Sequence, residues 1–118
     1  MKLYGIPNCN TVKKARNWLS QRHIEVEFHD FKKLGLDALT AQRWLQQADW
    51  SRLINRSGMT WRKLPEQRKQ LVQDAPSALA LMLENTSVIK RPVLEQAGKL
   101  LHIGFDESAY STVFKRNS

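Results

Sequence analysis

The N-terminal stretch Lys2-Leu3-Tyr4-Gly5-Ile6-Pro7-Asn8-Cys9-Asn10-Thr11-Val12 contains a change of period. Lys2 to Ile6 reads as a short strand that Pro7-Asn8 ends. From Asn10 to about Gln21 the apolar residues Val12, Ala15, Trp18 and Leu19 recur at helical spacing. Cys9, the only cysteine of the chain, stands where the turn enters the helix. A thiol there faces unpaired backbone amides and the positive end of the helix macrodipole, and both favour the thiolate.

Further along, Ile24, Val26 and Phe28 alternate with Glu25, Glu27 and His29, which predicts a second strand with one polar face. Strand, helix and strand imply a right-handed parallel crossover. After Lys32-Lys33-Leu34-Gly35 the period turns helical again through Leu36, Leu39, Trp44, Leu45 and Ala48, ending near Asp49-Trp50. Short helices follow at Met59 to Lys63, from Pro65 to Leu71, and from Pro76, running Ala78 to Leu83. Past Arg91-Pro92, Val93 to Gln96 and Leu100 to Gly104 read as a hairpin joined by Ala97-Gly98-Lys99, and Asp106 caps a last helix. This order is that of an α/β thioredoxin-like fold, β-α-β … β-β-α, with an inserted helical subdomain. The expectation is one domain over residues 1–118, its core about 1–34 and 86–118 and its insertion about 35–85.

With 118 residues, 42% apolar and 25% charged, the chain can fold around a core without disulfides. No run of about eighteen apolar residues and no basic-then-apolar leader pattern occurs, so a cytoplasmic location is expected and membrane contact is not. One cysteine with His23, His29 and His102 far apart in sequence gives no metal-ligand spacing. Any redox partner for Cys9 must therefore be another molecule. The net charge of +8 favours anionic partners, and six basic residues (Arg52, Arg56, Arg62, Lys63, Arg68, Lys69) fall between positions 52 and 69 against one acid, Glu66. A solvated face accounts for such a run equally well. Basic residues are neither interleaved with exposed aromatics nor laid along a recognition helix, so nucleic acid is not the expected partner.

Three motifs in order, Tyr4-Gly5-Ile6-Pro7-Asn8-Cys9-Asn10-Thr11-Val12-Lys13-Lys14-Ala15-Arg16, Asn55-Arg56-Ser57-Gly58-Met59-Thr60-Trp61-Arg62-Lys63-Leu64 and Ile89-Lys90-Arg91-Pro92-Val93, resemble the arsenate reductase (ArsC) family. The resemblance is closest to its YffB-type branch, read as glutathione-dependent thiol reductases. It implies that Cys9 is the nucleophile and that Arg56 and Arg91 hold an anionic substrate. Lys13 joins them as a substrate or glutathione contact, and Lys13 or Lys14 would lower the thiol pKa. Of the three family arginines, the third has no counterpart in Leu100-Leu101-His102-Ile103-Gly104, which argues against arsenate itself. Pro92 is expected to follow a cis bond beside the cysteine loop. Asn10 stands where the family has aspartate, and is expected to keep the helix cap while removing a negative charge near the sulfur. Asn8 and Thr11 serve the turn and the first helical turn.

The implied activity is a thiol-dependent reductase in which the Cys9 thiolate attacks an oxyanion or mixed disulfide, and external glutathione or a glutaredoxin-like donor resolves the adduct. No tightly bound cofactor is expected, glutathione is the cosubstrate, and the chain is expected to be a monomer. The alternative is an Spx-like regulatory module that binds RNA polymerase. Against it, Spx-type proteins commonly carry a second cysteine three residues after the first, where this chain has Val12.

Overall fold

In the computed structural model, which describes residues 1–116, the elements run β1 (Lys2–Gly5), α1 (Asn10–Gln21), β2 (Glu27–Asp30), α2 (Phe31–Leu34), α3 (Ala38–Gln47), α4 (Trp50–Leu53), α5 (Met59–Arg62), α6 (Glu66–Gln70), α7 (Ala75–Glu84), β3 (Val93–Gln96), β4 (Lys99–Ile103) and α8 (Glu107–Arg116). A 3-10 turn at Thr86–Val88 precedes β3. The strands form one sheet in the order β2-β1-β3-β4. β1 and β2 are parallel, as the intervening helix requires, and β3 and β4 are antiparallel to their neighbours.

The chain divides into two compact units, residues 1–30 with 91 onward, and residues 31–90. In the first, α1 buries the face on which Val12, Ala15, Trp18 and Leu19 recur. The cross-strand partners Leu3 and Leu94 meet Ala15, Trp18, Leu19 and Tyr110 in one apolar cluster. Trp18 meets the Tyr110 ring edge-on at 5.6 Å, a favoured aromatic geometry. By the two-residue strand period, Tyr4 and Glu95 share the opposite face. Glu95 is only 5% exposed, and the Tyr4 hydroxyl donates to its Oε1 at 3.0 Å, supplying a partner that a buried carboxylate needs. Ala97-Gly98 closes the β3–β4 hairpin with φ of 50° and 83°, the doubly positive turn that suits the twist of two strands.

The strand expected from Ile24 is shorter than its alternation suggests. Helix α1 ends in a Schellman motif, in which the His23 amide donates to the Ser20 carbonyl at 3.0 Å and the Ile24 amide to Leu19 at 3.0 Å. Those bonds hold Ile24 in the helix terminus, and pairing with β1 begins only at Glu27.

The second unit is helical. α3 packs against α7, and α2 against the 3-10 turn. Phe31 and Trp44, both buried, meet edge-on at 6.5 Å, which draws the helical unit's boundary to Phe31 instead of the expected 35. An antiparallel bridge pairs Ile54 with Ile89, flanked by an Asn55 amide bond to the Val88 carbonyl and a Lys90 amide bond to Leu53, each 2.8 Å. That pairing extends the unit to Lys90, beyond the expected 85. α7 starts at Ala75, before Pro76, because Asp74 and Ser77 form a reciprocal capping box. Among the described residues no helix is long and apolar enough to cross a membrane.

His23 holds its left-handed conformation, φ 57°, without being glycine. His23→Gly should stabilise the fold by about 0.5–1 kcal/mol, and Asp74→Ala should cost about 1 kcal/mol, read as opposite shifts of the urea midpoint at constant slope.

Candidate functional site

Cys9 is the N-cap of α1, with extended backbone at φ −145° and ψ 123°. Asn10 is therefore the first helical residue and not the cap, which corrects the role expected of it. The reason lies in the turn: Pro7-Asn8 ends the strand path, and the Cys9 carbonyl already accepts the Lys13 amide at 2.9 Å, the first bond of the helix. No short side-chain capping bond forms at this terminus. The first-turn amides are left to the sulfur.

Cys9 is half-buried, and its thiol is the one free cysteine of the site. Burial pushes its pKa up, but the Val12 amide, a hydrogen bond and charge from the Arg91 guanidinium, and the Thr11 amide outweigh that and bring it below the ordinary thiol value. The cation acting on the sulfur is thus Arg91, brought from the far end of the sequence by the β1–β3 pairing. Lys13 and Lys14 are exposed on α1 and do not figure among the influences on Cys9, contrary to the expectation that a lysine lowers its pKa. The Arg91-Pro92 bond is cis, as expected, and Pro92 is buried, its carbonyl accepting the Gly104 amide at 2.8 Å. A cleft of about 550 Å³ lies in the same unit, lined by Thr11, Lys14, Phe105, Asp106 and Glu107.

Arg56 belongs to the helical unit. Its turn is built by Asn55, whose side-chain oxygen accepts the Ser57 amide at 3.2 Å, and by Gly58, where a Cβ would fall 2.8 Å from the Asn55 side-chain nitrogen. The exposed Arg56 guanidinium lies over the Trp50 ring at 5.5 Å. Ser51, through its hydroxyl and amide, holds the Asp49 carboxyl below the usual range, with the Arg56 charge adding to the effect. Trp50 is thus a platform for an arginine. Within the basic run Arg68 pairs with Glu84 at 2.9 Å and Lys69 with Glu66 at 3.4 Å, so these two serve the helical unit's own surface. His29 meets the Tyr4 ring in a tilted contact at 4.7 Å and His102 meets Tyr110 edge-on at 5.6 Å. Among the described residues no group of His, Cys, Asp or Glu could hold a metal ion.

The family model described as the ArsC family matches residues 4–113. The chain belongs to the ArsC family. A Haemophilus influenzae relative, itself uncharacterized, is 44% identical over 95% of this chain and 96% of its own length. A solved structure described as a YffB protein is 43% identical, with a TM-score of 0.89, over 95% of this chain and 96% of that one. Another, an arsenate reductase-related protein of Brucella melitensis, is 52% identical with a TM-score of 0.74, over 97% of this chain and 93% of that one. At lower identity, 26%, stands the global transcriptional regulator Spx 2 of Lactococcus lactis, matched over 89% of this chain and 79% of the relative. The ArsC membership and these neighbours establish the thioredoxin-like fold that the element order predicts and point to oxidoreductase chemistry.

The unpaired amides expected at the helix terminus are those of Val12 and Thr11; what residue order does not show is which of them face the sulfur. The alkylation rate of Cys9 by iodoacetamide should reach half its plateau below pH about 8.5, the ordinary thiol value. Arg91→Ala should move that midpoint upward, because burial persists while the stabilising charge and hydrogen bond are lost. A coincident pair of profiles would remove Arg91 from the site.

Proposed function

We propose that this ArsC-family chain is a glutathione-dependent thiol reductase of anionic mixed disulfides. The observation that carries the reading is a single cysteine whose sulfur is ionised more readily than an ordinary thiol by a helix terminus and the Arg91 guanidinium. The Cys9 thiolate attacks one sulfur of the substrate disulfide. The new Cys9–S bond forms as the substrate S–S bond breaks, and the leaving thiolate takes a proton from solvent. When the substrate is a glutathione mixed disulfide, Cys9 carries the glutathionyl group. A glutathione thiolate then attacks the glutathionyl sulfur, forming oxidised glutathione and returning the Cys9 thiolate. One disulfide is reduced and two glutathionyl groups leave as a disulfide, so electrons balance without a second cysteine in the chain.

Arg91 and Arg56 each present a planar guanidinium suited to a carboxylate or another oxyanion, a geometry lysine does not offer. The family resemblance assigns both to the substrate anion, with Lys13 as a further contact, and Thr11 and Pro92 shaping the turn around the sulfur. The cleft beside Thr11 carries both signs of charge, from Lys14 and from Asp106 and Glu107, which suits the zwitterionic glutathione molecule. The missing third arginine makes a disulfide the favoured substrate over arsenate. The likeness to Spx regulators at 26% identity supports a weaker reading, a polymerase-binding module, and Val12 in place of a second cysteine counts against it. Polymerase capture from a lysate equally by wild type and Cys9→Ser, with no turnover by either, would reverse the order.

Turnover of a glutathione mixed disulfide, followed by reduction of the oxidised glutathione formed, should be abolished by Cys9→Ser; equal rates for both proteins would end the mechanism. Arg56→Ala should raise KM for the anionic disulfide about tenfold with a smaller change in kcat, the pattern of lost substrate binding, while leaving the Cys9 alkylation profile in place.

A further inference from the structure

Gly5 closes β1, four residues before the nucleophile, and it is buried against the first turn of α1. A Cβ built on it would fall 2.8 Å from Val12 Cγ2 and 3.5 Å from Val12 Cγ1, with Phe28 Cε1 at 3.8 Å. The first distance is shorter than real carbon contacts allow, so something would have to move. Val12 is fully buried, and a β-branched side chain in a helix has essentially one rotamer, so the methyl cannot swing aside. The displacement would pass to the helix backbone itself. That backbone is tied to the nucleophile, because the Lys13 amide, next to Val12, donates to the Cys9 carbonyl at 2.9 Å.

We propose that Gly5 is a positioning residue for Cys9: its missing side chain lets α1 seat against the end of β1 at the depth that holds the sulfur at the helix terminus and beside Arg91. It acts through Val12 and touches no substrate. The role rests on the thiolate reading of Cys9, and it extends that reading from the groups that face the sulfur to the contact that sets where they stand. The left-handed freedom of glycine is not what is used here; the close approach is.

The test is the pH profile of Cys9 alkylation by iodoacetamide in wild type, Gly5→Ala and the double variant Gly5→Ala with Val12→Ala, alongside circular dichroism for folding. Gly5→Ala should raise the midpoint by about half a unit, roughly a threefold loss of thiolate near neutrality. Removing the Val12 methyls in the double variant should return the profile to that of wild type. A Gly5→Ala profile equal to wild type overturns the proposal, and so does a raised midpoint that the double variant fails to restore. Should Gly5→Ala alone not fold, a folded double variant with the wild-type profile supports the role, and an unfolded one refutes it. A wild-type midpoint at the ordinary thiol value is a separate outcome, which defeats the thiolate reading and the positioning role with it.

Discussion

The ionisation of one sulfur is the constraint around which the sheet unit is arranged. A partly buried thiol is pushed toward its neutral form, so the charge must be recovered from fixed dipoles and a cation. The fixed dipoles belong to the Val12 and Thr11 amides, which are available because the helix starts at Asn10 with no side-chain oxygen capping it. The cation arrives on the residue before Pro92, carried to the cysteine turn by the antiparallel pairing of β1 with β3. Neither contribution is costly to the fold, since an uncapped helix terminus and an arginine ahead of a strand are ordinary features. Their coincidence at one sulfur gives the site its chemistry.

The packing of this unit holds that coincidence in place. Leu3 and Leu94 face each other across the two central strands and meet α1 and Tyr110 in a single cluster, so strand register and helix seating are set together. A one-residue slip of β3 would turn Leu94 out of the cluster and carry Arg91 away from the turn. On the opposite face the Tyr4–Glu95 hydrogen bond penalises the same slip, because it would leave a carboxylate buried without its hydroxyl. The helical unit is organised differently, through buried helix faces and the Ile54–Ile89 bridge, and it presents Arg56 on a turn that Asn55 and Gly58 fix.

Much of this architecture is legible from residue order because the strongest signals are local. The bounds of α1 follow from four apolar positions, the hairpin from Ala97-Gly98-Lys99, though Lys99 itself already belongs to β4, and the last helix from Asp106, whose carboxylate accepts the Ser108 amide at 2.8 Å. Where the reading departs from the structure, a competing local interaction has won. The alternation from Ile24 to Phe28 predicts a strand that the helix-terminal bonds of His23 and Ile24 delay. Asn10 is a good capping residue one position too late, because the turn ends at Cys9. Helix α2 is too short to show a period, and the start of α7 depends on Ser77 reaching back to Asp74, which a proline two residues on conceals. For the site, cysteine, arginine, proline and the unpaired amides of a helix terminus are legible in residue order, whereas which amides face the sulfur and the close approach at Gly5 are visible only in three dimensions.

The bare helix terminus at Cys9 also bears on how an adduct would come apart. A sulfur that is comfortable as an anion is a good leaving group, and the same amides and guanidinium that welcome its charge lower the barrier to expelling it from a disulfide. Once the sulfur is covalently occupied it no longer offers those groups a negative charge, so the occupied form forfeits an attraction that the released form regains. Relative to an ordinary thiol, the lowered pKa of Cys9 thus biases the sulfur toward release, and the fold itself supplies a pull toward discharge.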